Sequence, residues 1–323
     1  MMKGEFSMSE DLFRKKINKE LLHLYDASTG FNLEDLDAFR VAAHAAEYAN
    51  IKEDSEVKSY DRFIQGPADN PELKVRIYEP INRTDEALPV VLFFHGGGFV
   101  FGTHIRQNDM CNRYCKNVNC VVMSVEYRLA PEFKAPKPVE DCYAALVWAA
   151  ENAKELNIDP DRIALVGVSA GGTMVAATAL MARDRKGPQP VVQMPLYAEL
   201  DYTMSTATAQ GITNKKVWSY PYSIISWEHY LEKGKEVDYY TSPSLAEDLS
   251  GLPPLFSYIG GVDPFLDENL AYWERLMHAG GIDVEFHVYP GCFHAFETSA
   301  PDSTYGKQAY EATYAALRKA FDK

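Results

Sequence analysis

Apolar runs of strand length alternate with amphipathic stretches along most of the chain. Leu88 to Phe94 is continuously apolar and Asn119 to Tyr127 nearly so. Runs of that kind mark strands buried on both faces. Arg162 to Val168, Pro190 to Leu196, Leu255 to Ile259 and Val284 to Tyr289 read as further strands. Glu56 to Ile64 and Leu73 to Tyr78 alternate between the two faces, which predicts antiparallel edge strands. Helical periodicity fills the gaps at Pro136 to Asn157, Thr173 to Arg185, Leu266 to Ala279 and Ser303 to Phe321. Several strand–helix–strand units in series imply an α/β fold with a mostly parallel sheet and helices on both faces. Functional sites in such sheets lie outside the carboxyl ends of the strands.

Two regions break this alternation. Before the first strand, Leu12, Phe13, Ile17, Leu21 and Tyr25 fall on one helical stripe over residues 9 to 25. A second helix is predicted to start at Asn32, with Asn32 as its cap, Asp35 three positions on, and Phe31 stapled to Leu36. From Asp201 to Tyr240 the pattern stops again, in a segment dense in tyrosine and tryptophan. An insertion of about 40 residues is long for a connection and implies helices of its own. The expected division is therefore N-terminal helices over 1–55, a catalytic α/β unit over 56–200 and 241–323, and the insertion over 201–240. The leading helices could close over a pocket or simply pack on the outside of the sheet.

Composition narrows the class. The chain has 323 residues and a formal net charge of −14, its acidic residues spread throughout. That disfavours nucleic acid and anionic membrane surfaces as partners. Five cysteines (Cys111, Cys115, Cys120, Cys142, Cys292) contain no C-x-x-C pair and match no zinc spacing, so no metal is expected. Met1 to Leu22 is polar and charged, and no apolar run reaches the ~18 residues of a membrane span. Cytoplasmic residence is the default expectation.

The chemistry centres on Gly167-Val168-Ser169-Ala170-Gly171. It fits G-x-S-x-G, in which a serine sits on a strained strand-to-helix turn and the glycines let two backbones approach. The three fixed positions are a short pattern, but they fall where strand and helix patterns meet. A serine needs a base to take its proton. With this elbow the order is serine, acid, histidine. Of eight histidines, His278, His287 and His294 come late enough. His278 falls in a helix and His287 in a strand; His294 follows a strand on a loop and is the candidate base. The loop after Ile259 offers Asp263, Asp267 and Glu268 as the acid. Asp263 is nearest the strand end, with Asp267 the alternative. The N–H groups of Ala170, Gly97 and Gly98 are the candidate oxyanion donors. The triple glycine lacks the G-K-[ST] or G-x-G-x-x-G context of a phosphate cradle.

Together His95-Gly96-Gly97-Gly98, Tyr127-Arg128-Leu129-Ala130-Pro131-Glu132, Gly167-Val168-Ser169-Ala170-Gly171-Gly172, Asp263-Pro264 and Phe293-His294 resemble the hormone-sensitive-lipase family of α/β-hydrolase esterases. The resemblance covers roughly residues 60 to 320. It implies an eight-stranded sheet, a helical cap made from the N-terminal segment and the insertion, and hydrolysis of short- to medium-chain acyl esters without a cofactor. Many members of that family pair as dimers through the last strand. Two positions depart from the family pattern: Val168 stands where Asp or Thr is usual, and Ala295 where Gly is common.

The sequence thus points to a serine carboxylesterase acting on a small ester, with Ser169 as nucleophile, His294 as base and Asp263 orienting it. Phe99, Phe101, Trp218, Tyr222 and Trp227 are the candidate lining of an apolar pocket. The same machinery could serve a carbohydrate deacetylase or an amidase or peptidase. A ligand receptor on a dead scaffold, as in the plant gibberellin receptors, would lack the histidine that this chain keeps.

Overall fold

The computed structural model describes residues 8–322. Eight strands form one sheet: β1 (Val57–Gln65), β2 (Glu72–Pro80), β3 (Leu88–Phe94), β4 (Val121–Val125), β5 (Ile158–Val168), β6 (Val192–Leu196), β7 (Leu255–Gly260) and β8 (Val284–Tyr289). Their order is β1-β2-β4-β3-β5-β6-β7-β8. β1 and β2 are antiparallel, as are β2 and β4; every other neighbouring pair is parallel. Only β1 of the two predicted edge strands lies at an edge, because β2 is enclosed between β1 and β4.

The helices are α1 (Glu10–Lys16), α2 (Leu22–Ala27), α3 (Leu36–Ala49), α4 (Asn108–Val118), α5 (Lys137–Glu151), α6 (Ala153–Leu156), α7 (Ala170–Asp184), α8 (Ala207–Gly211), α9 (Tyr220–Tyr230), α10 (Leu266–His278), α11 (Phe296–Ser299) and α12 (Thr304–Phe321). α4 packs on α12, and α5 on α7, so the sheet is covered on both faces. Every residue of β3 and β4 is accordingly buried. β6 carries Pro195, which has no N–H for the ladder. Backbone bonds flank it, from the Gln193 N–H to the Pro254 carbonyl at 2.9 Å and from the Tyr197 N–H to the Tyr258 carbonyl at 3.0 Å, and Ser257 Oγ donates to the Pro195 carbonyl at 2.6 Å. No described helix is long and apolar enough to cross a membrane.

Three helix boundaries differ from the sequence pattern. The stripe over residues 9 to 25 is two helices, not one. Ile17 leaves helical geometry, and the Asn18 N–H donates to the Gly291 carbonyl at 2.8 Å rather than back along the helix. Phe13, Ile17, Leu21 and Tyr25 are still all buried, so the periodicity survives the break, but Leu12 stands exposed and is not part of the stripe. Asn32 caps nothing with its side chain. A single 3₁₀ turn covers Leu33–Asp35, and Asp35 caps α3 by accepting from the Ala38 N–H at 3.3 Å. The helix predicted over Pro136 to Asn157 divides at Asn152 into α5 and α6.

α1 to α3 and the segment holding α8 and α9 meet each other. Ser28 Oγ donates to the Lys216 carbonyl at 2.5 Å, and Tyr222 Oη both accepts from the Phe31 N–H and donates to the Lys215 carbonyl. α3 also reaches down to the core: Glu47 accepts from Thr103 Oγ1 and Arg106 Nη1, each at 2.7 Å.

Candidate active site

β5 delivers Ser169 to the rim of the sheet and α7 starts at the next residue. Ser169 has φ 56° and ψ −123°, a backbone conformation that costs a non-glycine residue about 1–3 kcal/mol. The surrounding glycines make the turn possible. A Cβ at Gly171 would lie 2.5 Å from the His95 carbonyl oxygen, and one at Gly172 would lie 2.7 Å from Ala198 Cβ. The β5–α7 connection is therefore pressed directly against β3 and β6.

Three residues from three strand ends meet here. His294 Nε2 lies 2.9 Å from Ser169 Oγ, and His294 Nδ1 lies 2.8 Å from Asp263 Oδ2. The carboxylate next to Nδ1 fixes the tautomer, with the proton on Nδ1 and the Nε2 lone pair facing the hydroxyl. Asp263 Oδ1 accepts from the Phe265 N–H at 2.9 Å, so both oxygens are committed. The imidazole is held edge-on by Tyr197 at 5.0 Å and Phe265 at 5.2 Å between ring centroids. Asp263 is fully buried, and Ser169 and His294 nearly so.

The alternative acid is engaged elsewhere. Asp267 Oδ2 accepts from the Thr208 N–H at 2.9 Å, tying α10 to α8. Glu268 Oε1 accepts from the Leu200 N–H at 2.6 Å. The other late histidines are also distant in role: His278 is exposed at the end of α10, and His287 pairs with Glu285 on β8.

The glycine loop follows β3. Gly97 has φ 137° and Gly98 φ 54°, values open to glycine and rarely to other residues. His95 anchors the loop from below. Its ring stacks on Tyr127 at 4.2 Å, and the Tyr127 hydroxyl donates to the His95 carbonyl at 2.6 Å. Burial lowers the His95 pKa, which keeps that imidazole neutral. Ala170 opens α7, so its N–H has no partner within the helix.

A cavity of about 400 Å³ opens over Ser169, His294, Gly97 and Gly98. Of the predicted lining, Phe101 and Trp218 reach it. Phe99, Tyr222 and Trp227 do not. Phe99 stacks on Tyr230 at 4.2 Å and packs on Trp227 at 4.8 Å, while the Tyr222 hydroxyl is consumed by the Phe31 and Lys215 backbone. These three hold the outer layer onto the core. The remaining wall includes Leu24, Tyr25 and Phe31 from the N-terminal segment, Lys216 and Val217 from the insertion, and Arg106 and Gln107 after the glycine loop. Sequence reasoning passed over these. In the sequence Tyr25 reads only as part of a helical stripe and Phe31 only as a staple, and nothing local marks Arg106 or Lys216.

A buried acid lies behind the site. Glu199 follows β6 and is fully buried, and neither carboxylate oxygen has a well-formed hydrogen bond, the donors beside it being the side chains of Ser223 and Trp227. Burial, aided by the Asp263 charge, pushes its pKa up to about 8. Glu297 is likewise raised by burial, and accepts from the Tyr197 hydroxyl at 2.5 Å.

A serine, an imidazole and a carboxylate in line at the carboxyl edge of this sheet define an α/β hydrolase, and comparison with known proteins gives the family. Residues 91–298 match the alpha/beta hydrolase fold model Abhydrolase_3, and the chain belongs to that family, on its hormone-sensitive-lipase-like branch. It is 41% identical to an arylesterase of Saccharolobus solfataricus over 231 residues, covering 70% of this chain and 73% of that one. It is 35% identical to the carboxylesterase NlhH of Mycobacterium tuberculosis over 260 residues, covering 77% and 79%. Among solved structures it superposes on a bacterial heroin esterase with a TM-score of 0.90, at 35% identity, over 95% of this chain and 98% of that chain. The protein is a carboxylic ester hydrolase.

Proposed function

We propose that the protein hydrolyses small esters of short- to medium-chain acyl groups through Ser169, His294 and Asp263. His294 Nε2 accepts the Ser169 proton as Oγ attacks the ester carbonyl. The same proton then passes to the leaving alcohol, and water repeats the sequence on the acyl-enzyme. Asp263 orients the imidazole and stabilises its charged form. Gly97, Gly98 and Ala170 supply the N–H donors for the oxyanion, each such donor contributing about 3 kcal/mol in the transition state. The observation that carries this reading is the unbroken pair of hydrogen bonds from Ser169 through His294 to Asp263, at 2.9 and 2.8 Å, on the floor of a cavity. Its volume of about 400 Å³ sits at the small end of the usual 300–1,000 Å³ range, which favours compact substrates.

The names of the related proteins, arylesterase, carboxylesterase and heroin esterase, support the same substrate class for this chain. The test is a series of p-nitrophenyl esters from acetate to dodecanoate, with wild type beside Ser169→Ala. The account expects kcat/KM to peak at eight carbons or fewer and Ser169→Ala to lose at least ~10⁴ in kcat. A peak at dodecanoate, or an active Ser169→Ala, overturns it.

A further inference from the structure

We propose that the natural ester carries a carboxylate, which Lys216 and Arg106 hold at the cavity wall. This deepens the esterase reading and rests on it. The observation is the sign of the charge. The chain has 46 acidic against 32 basic side chains. Yet among the described residues the cavity is lined by two basic residues, Arg106 and Lys216, and by no aspartate or glutamate. A substrate cavity that inverts the charge of the molecule around it is selective for the opposite sign in its ligand.

Arg106 is paired with one carboxylate, and Lys216 with none closer than 4.0 Å. Arg106 gives Nη1 to Glu47 at 2.7 Å and lies over the Phe101 ring at 4.6 Å. The other Glu47 oxygen is taken by Thr103, so that carboxylate holds Arg106 in place from outside the cavity. Lys216 has less. Its ammonium is 3.5 Å from the Asp26 carbonyl and 4.0 Å from Glu10, and it sits over the Tyr25 ring at 5.2 Å. The Asp26 carboxylate is already held by two nitrogens of Arg14. About one further negative charge therefore fits the wall, which suits a carboxylate better than a phosphate dianion. Tyr25, Phe101 and Trp218 supply apolar surface beside it, where an ion pair is less screened than in open solvent.

Two kinds of molecule join an ester to a carboxylate: half-esters of dicarboxylic acids, and aromatic or aliphatic hydroxy acids acylated on oxygen. Either reacts in the ordinary way. Ser169 Oγ adds to the acyl carbon and gives its proton to His294, the bond from that carbon to the alkoxy oxygen breaks as His294 passes the proton to the departing alcohol, and water then releases the acid from the acyl-enzyme, its proton returning through His294 to Ser169. The second carboxylate is a handle and is unchanged.

The test uses the full chain and two matched pairs. 4-Acetoxybenzoate against phenyl acetate places the charge on the alcohol, and monomethyl adipate against methyl hexanoate places it on the acyl group. The quantity read is the ratio of kcat/KM, charged over neutral, within each variant. The ratio is expected to exceed about five in at least one pair, to fall towards one in Lys216→Met, and to be kept in Lys216→Arg. A wild-type ratio at or below one in both pairs, or a ratio unmoved by Lys216→Met, overturns the proposal while leaving the esterase reading intact. A wild type inactive on all four esters removes both. Should Lys216→Met fail to fold, inhibition of the wild type decides. Benzoate is expected to inhibit at least about fivefold more tightly than benzyl alcohol, and equal inhibition overturns the proposal.

Discussion

The floor and the roof of the cavity are built in different ways. The floor is the rim of the sheet. Ser169, Asp263 and His294 are buried, and the turns beside them touch neighbouring backbone so closely that only glycine fits. The roof is α1 to α3 together with the insertion bearing α8 and α9. There α3 has no buried residue, Val41 and Tyr48 stand largely exposed, and several ties are surface ion pairs such as Lys215–Glu34. The floor fixes three reacting groups to within a hydrogen bond, which chemistry requires. The roof is free to differ in residue and charge without disturbing them. On the function proposed above, the floor sets the reaction type, and the roof together with the wall after the glycine loop sets the choice of substrate.

The largest effect should come from the acid on the floor. Asp263→Asn keeps the shape but disturbs the imidazole tautomer, and kcat is expected to fall by roughly 10³–10⁴. Asp267→Asn should fall by less than tenfold, because Asp267 serves the α8–α10 contact. Steady-state kinetics of the two variants side by side would sharpen or break the division, and equal losses would break it.

Next is the packing of the elbow. Gly171→Ala puts a methyl group onto the Phe94 and His95 carbonyls. A loss of about 3 kcal/mol or more in urea unfolding is expected, of the size seen for overpacked sites. A variant within 1 kcal/mol of wild type would show that the floor is softer than its geometry implies.

Glu199 gives a pH-dependent effect of intermediate size. Its folded pKa, near 8, lies above the ordinary carboxylate value of 4.5. Below about pH 4.5 both folded and unfolded states are protonated and no stability is lost. As pH rises from there to about 8, only the unfolded state ionises, so stability falls across that window. Glu199→Gln removes the effect. It should be nearly neutral at pH 4.5 and more stable than wild type by a few kcal/mol at pH 8, read from denaturant midpoints. A difference independent of pH contradicts a buried, protonated Glu199.

The smallest effect belongs to the roof. Lys215→Ala breaks an exposed pair with Glu34 and should cost under about 1 kcal/mol, decreasing with salt. A larger loss would mean that the roof is as tightly determined as the floor.

The same contrast explains what could be read in the sequence. Floor residues announce themselves because backbone sterics restrict them. Glycines at 97, 98, 167 and 171, a serine between a strand and a helix, and an acid and a histidine after later strands are local signals. Strands β3 and β4 were equally legible, since burial on both faces leaves a continuous apolar run. Roof residues are chosen by tertiary neighbours, and local pattern misjudges them. Trp218 and Phe101 reach the cavity, but Phe99, Tyr222 and Trp227, no less aromatic, pack behind it. The break at Ile17 depends on the Gly291 carbonyl, 274 residues away along the chain, and no helical periodicity could reveal it. α4 is hard to read locally because two of its buried positions carry Asn108 and Asn112, whose amides donate to the distant Lys52 carbonyl, so the inward face does not read as an apolar stripe.

The most direct measurement of the central claim is the site of covalent capture. The chain is treated with a fluorophosphonate, digested, and the modified peptide sequenced by tandem mass spectrometry. One adduct, on Ser169, is expected, with loss of ester hydrolysis in step with its formation. An adduct on another residue accompanying that loss, or full activity with Ser169 modified, would contradict the account.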